Sequence, residues 1–247
     1  MTRIPALKHR LLSEFYMSAT DIYSGESSAK YHLDKRSIPA QALPWICELR
    51  ARKFQPHVSS GAVVFEYGVG YGWNLAHLSC GRKIGCDIST MLETEVRKLG
   101  IEFIYKPEEI LDATADIVIC HHALEHLSSP SEALAQMHRI LKPNGVLLLF
   151  VPYEKEKRYR QFNAGEANHH LFSWNVQTLG NLVEVCGFKF VEGGLQKFRF
   201  DRFAARVAMK LHLGRAGYFA VRALALLVAP EYEIRLIARK NLTRVSS

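Results

Sequence analysis

Residues 63–74, Val-Val-Phe-Glu-Tyr-Gly-Val-Gly-Tyr-Gly-Trp-Asn, constrain this chain more than any other stretch. Apart from Glu66, residues 63–67 have the apolar, β-branched and aromatic character of a strand buried on both faces. Glycines then recur at 68, 70 and 72, and a helix is expected over 73–80. Glycine adopts positive φ readily and lets a ligand approach the backbone, so the run builds a shelf for something flat or anionic at the strand's tip. Glu66 would repel a pyrophosphate, and a dinucleotide fingerprint would need its third glycine where Trp73 stands.

Three further runs repeat the strand-then-turn pattern. Residues 82–88 form a second short strand ending in Asp87, placed at a carboxyl end to accept bonds from ribose hydroxyls. Residues 115–120 form a third buried strand, which runs into His121-His122-Ala123-Leu124-Glu125-His126-Leu127. In the fourth, 141–152, a Pro143-Asn144-Gly145 turn opens a hydrophobic strand. Helices expected over 89–99, 131–141 and from a Ser173 cap to about 186 alternate with these strands and with one starting at Phe188.

Glu-x-Gly-x-Gly-x-Gly at 66–72, Gly85-Cys86-Asp87-Ile88, Leu124-Glu125-His126-Leu127 and Leu141-Lys142-Pro143-Asn144-Gly145 closely resemble, in order and spacing, the class I S-adenosylmethionine-dependent methyltransferases. The resemblance covers about residues 60–200. It implies an α/β, Rossmann-like fold: a seven-stranded, mostly parallel sheet with helices on both faces. Around it we expect an N-terminal helical cap (1–60), a core (61–200), a helical insertion or lid (201–229), and a final edge strand and tail (230–247). The implied cofactor is S-adenosylmethionine. Glu66 would accept from its ammonium group or ribose, Gly68 and Gly70 would let its methionine portion lie against the backbone, and Asp87 would take the ribose hydroxyls. His121 and, near the adenine, Glu109 join this set. In related ubiquinone-pathway O-methyltransferases an arginine ahead of the core binds the cofactor carboxylate, and Arg36 matches it in type and order, with a longer separation.

The net charge of +8 favours anionic partners, but the basic residues are scattered rather than massed in one tract, which argues against nucleic acid. Cysteines 47, 80, 86, 120 and 186 form no Cys-x-x-Cys pair, so reduced thiols and a cytoplasmic setting are expected. No apolar signal core follows the basic N-terminus, and no apolar run approaches transmembrane length. Residues 4–17 have helical apolar spacing, and 153–168 are too charged for core and read as a loop over the catalytic face. The apolar-rich helical pattern of 203–229, punctuated by Arg206, Lys210, Arg215 and Arg222, suits a substrate lid, a dimer surface, a peripheral membrane contact or a helix packed on its own domain.

Methyl transfer from a sulfonium is a direct displacement, with the acceptor atom in line at about 3 Å, so positioning supplies much of the rate. A hydroxyl or amine acceptor must also lose a proton, to a base or with help from a metal. Five of the eleven histidines fall at 121, 122, 126, 169 and 170, and both groups should border one pocket. His121, His122, His126 and His170 are therefore the candidate bases. On a helix His122, Glu125 and His126 would share a face. Completed by His170, they could hold a divalent metal. Small-RNA 2′-O-methyltransferases hold a metal with a similar Glu-x-x-Glu-His turn and a later His four places before a Trp, as His170 stands before Trp174. Here His122 replaces the first Glu, which favours zinc, manganese or iron over magnesium. His-x-x-Glu-His also spells an inverted zinc-protease motif, but Pro130 cuts the required helix short. The expected activity is methyl transfer to oxygen, in preference to nitrogen, of a small-molecule or glycan-like acceptor. An RNA 2′-O-methyltransferase and a non-catalytic cofactor-binding protein are the alternatives.

Overall fold

The computed structural model describes residues 38–154, 161–163 and 168–241. Arg36, the expected helix over 4–17 and most of the 153–168 loop lie outside the described residues.

Alternation along the strands decides the layering. In β1 (Val63–Tyr67) Val64 joins one hydrophobic cluster and Phe65 the other. In β4 (Ala115–His121) Ile117 and Ile119 face one side, Val118 and Cys120 the opposite side. Such strands are buried on both faces, so helices must cover both. Helices α3 (Pro130–Ile140) and α4 (Val176–Val185) cover one face through Leu134, Met137, Leu179 and Val183. Phe54 of α1 (Leu43–Phe54) and Val96 of α2 (Glu93–Lys98) help cover the other.

With β2 (Arg82–Cys86), β3 (Glu102–Ile104), β5 (Leu141–Pro152), β6 (Phe188–Phe198) and β7 (Glu231–Lys240), the sheet has seven strands in the order β3-β2-β1-β4-β5-β7-β6. All pairings are parallel except those of β7, which runs antiparallel to both neighbours. This is the expected mostly parallel α/β sheet, with one correction: the final strand is not at the edge. It inserts between β5 and β6, leaving β6 outermost. That placement carries Glu233 to the middle of the molecule beside Pro152.

Local differences have local causes. No helix forms over 73–80: residues 73–77 make turns in which the amides of Leu75 and Ala76 share the Gly72 carbonyl, and Asn74 is drawn inward. The 89–99 helix is divided into a 3-10 turn, Thr90–Leu92, and α2. Asn175, not Ser173, caps α4, its side chain accepting from the Thr178 amide at 2.9 Å. Pro143-Asn144-Gly145 does not precede β5 but bulges within it, where pairing jumps from Ala115–Leu141 to Ile117–Val146 and Asn144 takes φ +63°. The 203–229 pattern is two helices, α5 (Asp201–Lys210) and α6 (Gly214–Val228). They pack against α1 through Ile46, Ala204, Ala208 and Tyr218, a third cluster beside the sheet.

Candidate active site

The turn after β1 is held in shape by its own backbone. Gly68, Gly70 and Gly72 have φ of +73°, +52° and +73°, which side-chain-bearing residues rarely adopt. A Cβ on Gly68 would lie 2.6 Å from that of Ala123, so the turns after β1 and β4 touch here and only glycine fits. Asp87, just past β2, braces the turn: its Oδ2 accepts the Gly70 amide at 2.8 Å and its Oδ1 the Ser89 amide at 3.0 Å. Glu66 is fully buried; its Oε1 accepts from Asn74 Nδ2, and Asn74 Oδ1 accepts from Arg50 Nη1 at 3.0 Å. The second carboxylate oxygen of Glu66 has no hydrogen-bond partner among the described residues. Burial pushes its carboxyl up to about 8.

The turn after β4 is irregular. His122 sits at φ +53° with its amide bonded to the Phe150 carbonyl, and Leu124–His126 is a single 3-10 turn. The histidines therefore do not share a helix face. They divide into two groups. In the first, His122 Nε2 lies 2.9 Å from Glu233 Oε2, and Lys53 Nζ lies 2.5 Å from Glu233 Oε1 and 2.8 Å from His121 Nε2. In the second, ligand atoms of Glu125, His126 and His170 come within 4.8 Å of one another, and His170 Nδ1 lies 2.6 Å from Glu154 Oε1. The amides of Leu171 and Phe172 both donate to the Glu125 carbonyl, which ties the 168–172 segment to the histidine turn. The four-ligand set of His122, Glu125, His126 and His170 is thus not gathered: backbone reversal at residue 122 turns that imidazole toward Glu233.

Electrostatics separate the members of the first group. Burial lowers the His121 imidazole well below its ordinary range, helped by the Lys53 cation and by His122. Burial also lowers His122, although Glu233 opposes it. Burial alone would raise Glu233, but Lys53 and the two imidazoles outweigh it and hold the carboxyl well below the usual range. Burial brings Lys53 down to about 8 against the pull of Glu233. The group is a neutral imidazole pair around a buried ion pair.

A cavity of about 860 Å³ brings the glycine turn and the histidines together. Gly68, Gly70 and Arg50 line one part, and His121, His122, Glu125, His126 and His170 another. A family model described as a methyltransferase domain matches residues 41–192. The chain belongs to the class I S-adenosylmethionine-dependent methyltransferases. Carboxy-S-adenosyl-L-methionine synthase of Desulfotalea psychrophila is 24% identical over 201 residues, covering 65% of this chain and 81% of that protein. The Bos taurus protein named Probable tRNA methyltransferase 9B is 29% identical over 161 residues, 63% of this chain and 32% of its own, so this chain spans about a third of that relative. A solved structure of Haemonchus contortus phosphoethanolamine N-methyltransferase 2 with S-adenosyl-L-methionine has a TM-score of 0.60 at 14% identity, covering 92% of this chain and 61% of that one, a likeness of fold.

The methyltransferase's residues fit its cofactor. Gly68 and Gly70 present backbone to the cavity and Arg50 places a cation beside them, while Glu66 is buried behind Asn74 with one carboxyl oxygen unpartnered among the described residues and does not itself line the cavity. Asp87 stands at the neighbouring strand end but does not itself line the cavity. Glu109 does not reach it either: its Oε1 accepts the amides of Tyr105 and Lys106 at 3.2 and 2.9 Å and closes its own 3-10 turn. His169 is exposed and faces elsewhere. Sequence reasoning missed Lys53, Glu233, Arg50, Asn74 and Glu154. Lys53 reads as one more basic residue at a helix end, and nothing local marks Glu233 as buried.

Proposed function

We propose that this methyltransferase moves the methyl group of S-adenosylmethionine to oxygen, in preference to nitrogen, of a small-molecule or glycan-like acceptor. The observation that carries the reading is the single cavity bordered by the glycine turn and by four histidines. When bound, the cofactor supplies an electrophilic methyl whose departure leaves a neutral thioether. Gly68 and Gly70 form its shelf, with Arg50 the described cation beside the turn, and Asp87 and Glu66 brace that shelf from behind through the Gly70 amide and Asn74. His121 belongs to the wall between cofactor and acceptor. A neutral histidine among those lining the cavity removes the acceptor's proton as the new bond forms, and Phe150 and Phe198 beside the imidazoles limit water. The test is calorimetric binding of S-adenosylhomocysteine, followed by a screen of acceptor mixtures with isotopically labelled cofactor. Absence of homocysteine-nucleoside binding would sink the reading, and label entering RNA rather than small molecules would redirect it.

The second reading, RNA 2′-O-methyl transfer with a metal, draws on Glu125, His126 and His170 and on the likeness to Probable tRNA methyltransferase 9B. One carboxylate and two imidazoles suit zinc, manganese or iron better than magnesium. Glu154 against His170 Nδ1 is the kind of outer carboxylate that metal-bound imidazoles commonly carry. Metal analysis of dialysed protein, with activity measured under a chelator, separates this from a metal-free base. His126→Ala and His170→Ala should reduce turnover more than cofactor affinity under either reading. The apolar face of α6, where Leu224, Leu227 and Val228 are exposed, leaves a peripheral membrane contact among the uses of 203–229. No helix among the described residues is long and apolar enough to cross a membrane.

A further inference from the structure

Four candidate bases line the cavity, and hydrogen-bond bookkeeping distinguishes two of them. An ammonium can only donate, so the lone pair of His121 Nε2, 2.8 Å from Lys53 Nζ, is consumed, and the His121 proton must sit on Nδ1. An ionised carboxylate can only accept, so His122 Nε2, 2.9 Å from Glu233 Oε2, must carry a proton and donate it. That leaves Nδ1 of His122 as the unprotonated nitrogen. The same carboxylate is fixed from three elements. Its Oε1 accepts from Lys53 of α1 and, at 3.4 Å, from Gln196 of β6, while its Oε2 faces His122 at the end of β4. Both oxygens are engaged and the Glu233 side chain is 1% exposed, so the carboxylate cannot swing away. The Lys53 ammonium is held in turn over the Phe150 ring, 3.9 Å from its centroid. The two imidazoles stack at 4.5 Å between centroids, which fixes their planes relative to each other.

We infer that Lys53 and Glu233 lock His121 and His122 into opposite tautomers, making Nδ1 of His122 the proton acceptor for methyl transfer and excluding His121 from that role. Lys53 and Glu233 are positioning residues; neither is assigned by any sequence motif of this chain. The inference rests on the methyl-transfer reading and deepens it. In the step, the acceptor's O–H bond breaks and its proton passes to His122 Nδ1. The oxygen's electron pair forms the bond to the methyl carbon, and the C–S pair remains on sulfur. The imidazolium so formed donates to Glu233, whose negative charge stabilises it, and returns its proton to water in the cavity. A base with an adjoining oriented carboxylate follows the logic of hydrolase triads. Here the lysine adds a second function, keeping the carboxylate ionised and blocking the neighbouring histidine.

Long-range 1H–15N spectroscopy of the full chain with ring-labelled histidines tests this without knowledge of the acceptor. His121→Gln and His122→Gln assign the two signals, and S-adenosylhomocysteine binding is measured on the same samples. Near neutral pH the expected pattern is a protonated Nε2 with a lone-pair Nδ1 for His122, and the reverse for His121. Lys53→Met should remove the single-tautomer pattern of His121 and leave that of His122. If this variant does not fold, the wild-type pattern decides alone. A proton on His122 Nδ1, a proton on His121 Nε2, or an imidazolium at either position would overturn the inference. If the tautomers are as expected and the homocysteine nucleoside does not bind, the methyl-transfer reading fails and the tautomer lock stands.

Discussion

Removing one partner of the Lys53–Glu233 pair should cost far more than removing both. The side chains are 12% and 1% exposed and their charged atoms lie 2.5 Å apart, so neither charge has water to fall back on. Lys53→Met keeps most of the aliphatic stem but leaves the carboxylate with two neutral imidazoles and a 3.4 Å amide contact. An uncompensated buried charge costs about 3–5 kcal/mol, a large part of a domain's stability. Glu233→Gln leaves the ammonium with His121 and the Phe150 face, and we expect a loss of about 2–4 kcal/mol on the same principle, reduced by the cation–π contact. The double variant buries two neutral groups and should lie within about 1–2 kcal/mol of the parent, giving a coupling energy of several kcal/mol. Urea unfolding of the four proteins measures the cycle, and the coupling should survive high salt because the pair is buried. Acidification adds a sign. Glu233 titrates lower in the folded than in the unfolded chain, so its contribution is present above the ordinary carboxylate range and is lost as pH falls through its depressed value. Single variants that each lose less than about 1 kcal/mol, additively, would mean the pair behaves like a solvated surface contact, and the account of the site's core would be wrong.

Glu66→Gln should change the pH dependence of stability in the opposite sense. The folded carboxyl keeps its proton up to about 8 and the unfolded one releases it near 4.5, so parent stability should fall as pH rises across that window, by a few kcal/mol in order of magnitude, and the amide should flatten the curve. Thermal or urea unfolding at several pH values reads this directly. Gly68→Ala should lose about 1–2 kcal/mol from the positive φ alone, more from the contact with Ala123, and weaken S-adenosylhomocysteine binding; an unaffected protein would show that the turn is pliant. Asp87→Ala removes the acceptor for the Gly70 and Ser89 amides and should weaken that binding about 10- to 100-fold while circular dichroism shows the fold retained. Unchanged affinity would remove Asp87 from the cofactor site.

The sheet was legible because its signals are local. An apolar run followed by Gly68, by Asp87 or by His121 reports a strand's carboxyl end wherever it occurs, and parallel sheets gather those ends on one edge. The 73–80 helix failed for a reason no local rule contains: Asn74 points inward to Glu66 and Arg50, contacts made with residues 8 and 24 positions away. The shared helix face of His122, Glu125 and His126 failed because periodicity presumes regular backbone, and the chain reverses at His122. Lys53 and Glu233 are 180 residues apart, and they meet only because β7 inserts between β5 and β6 rather than lying outside them. A reading that puts the last strand at the edge cannot bring its acid to the centre.

That same insertion bears on where a cation could enter. Among the described residues, two groups of three have ligand atoms close enough to converge on an ion: His121, His122 and Glu233, and Glu125, His126 and His170. By donor type the first looks as suitable as the second. Yet its carboxylate already faces an ammonium, and the lone pair of His121 Nε2 is spent on the same Lys53. A divalent ion there would have to displace a buried lysine from its carboxylate and then tolerate a like charge against it, a repulsion the low-dielectric surroundings would magnify. The second group has Glu154, an anion, behind His170, which favours rather than opposes a cation. The two histidine groups are therefore not redundant: one has its counter-charge built in, as the proposed proton transfer needs, whereas a cation would meet less opposition at the other.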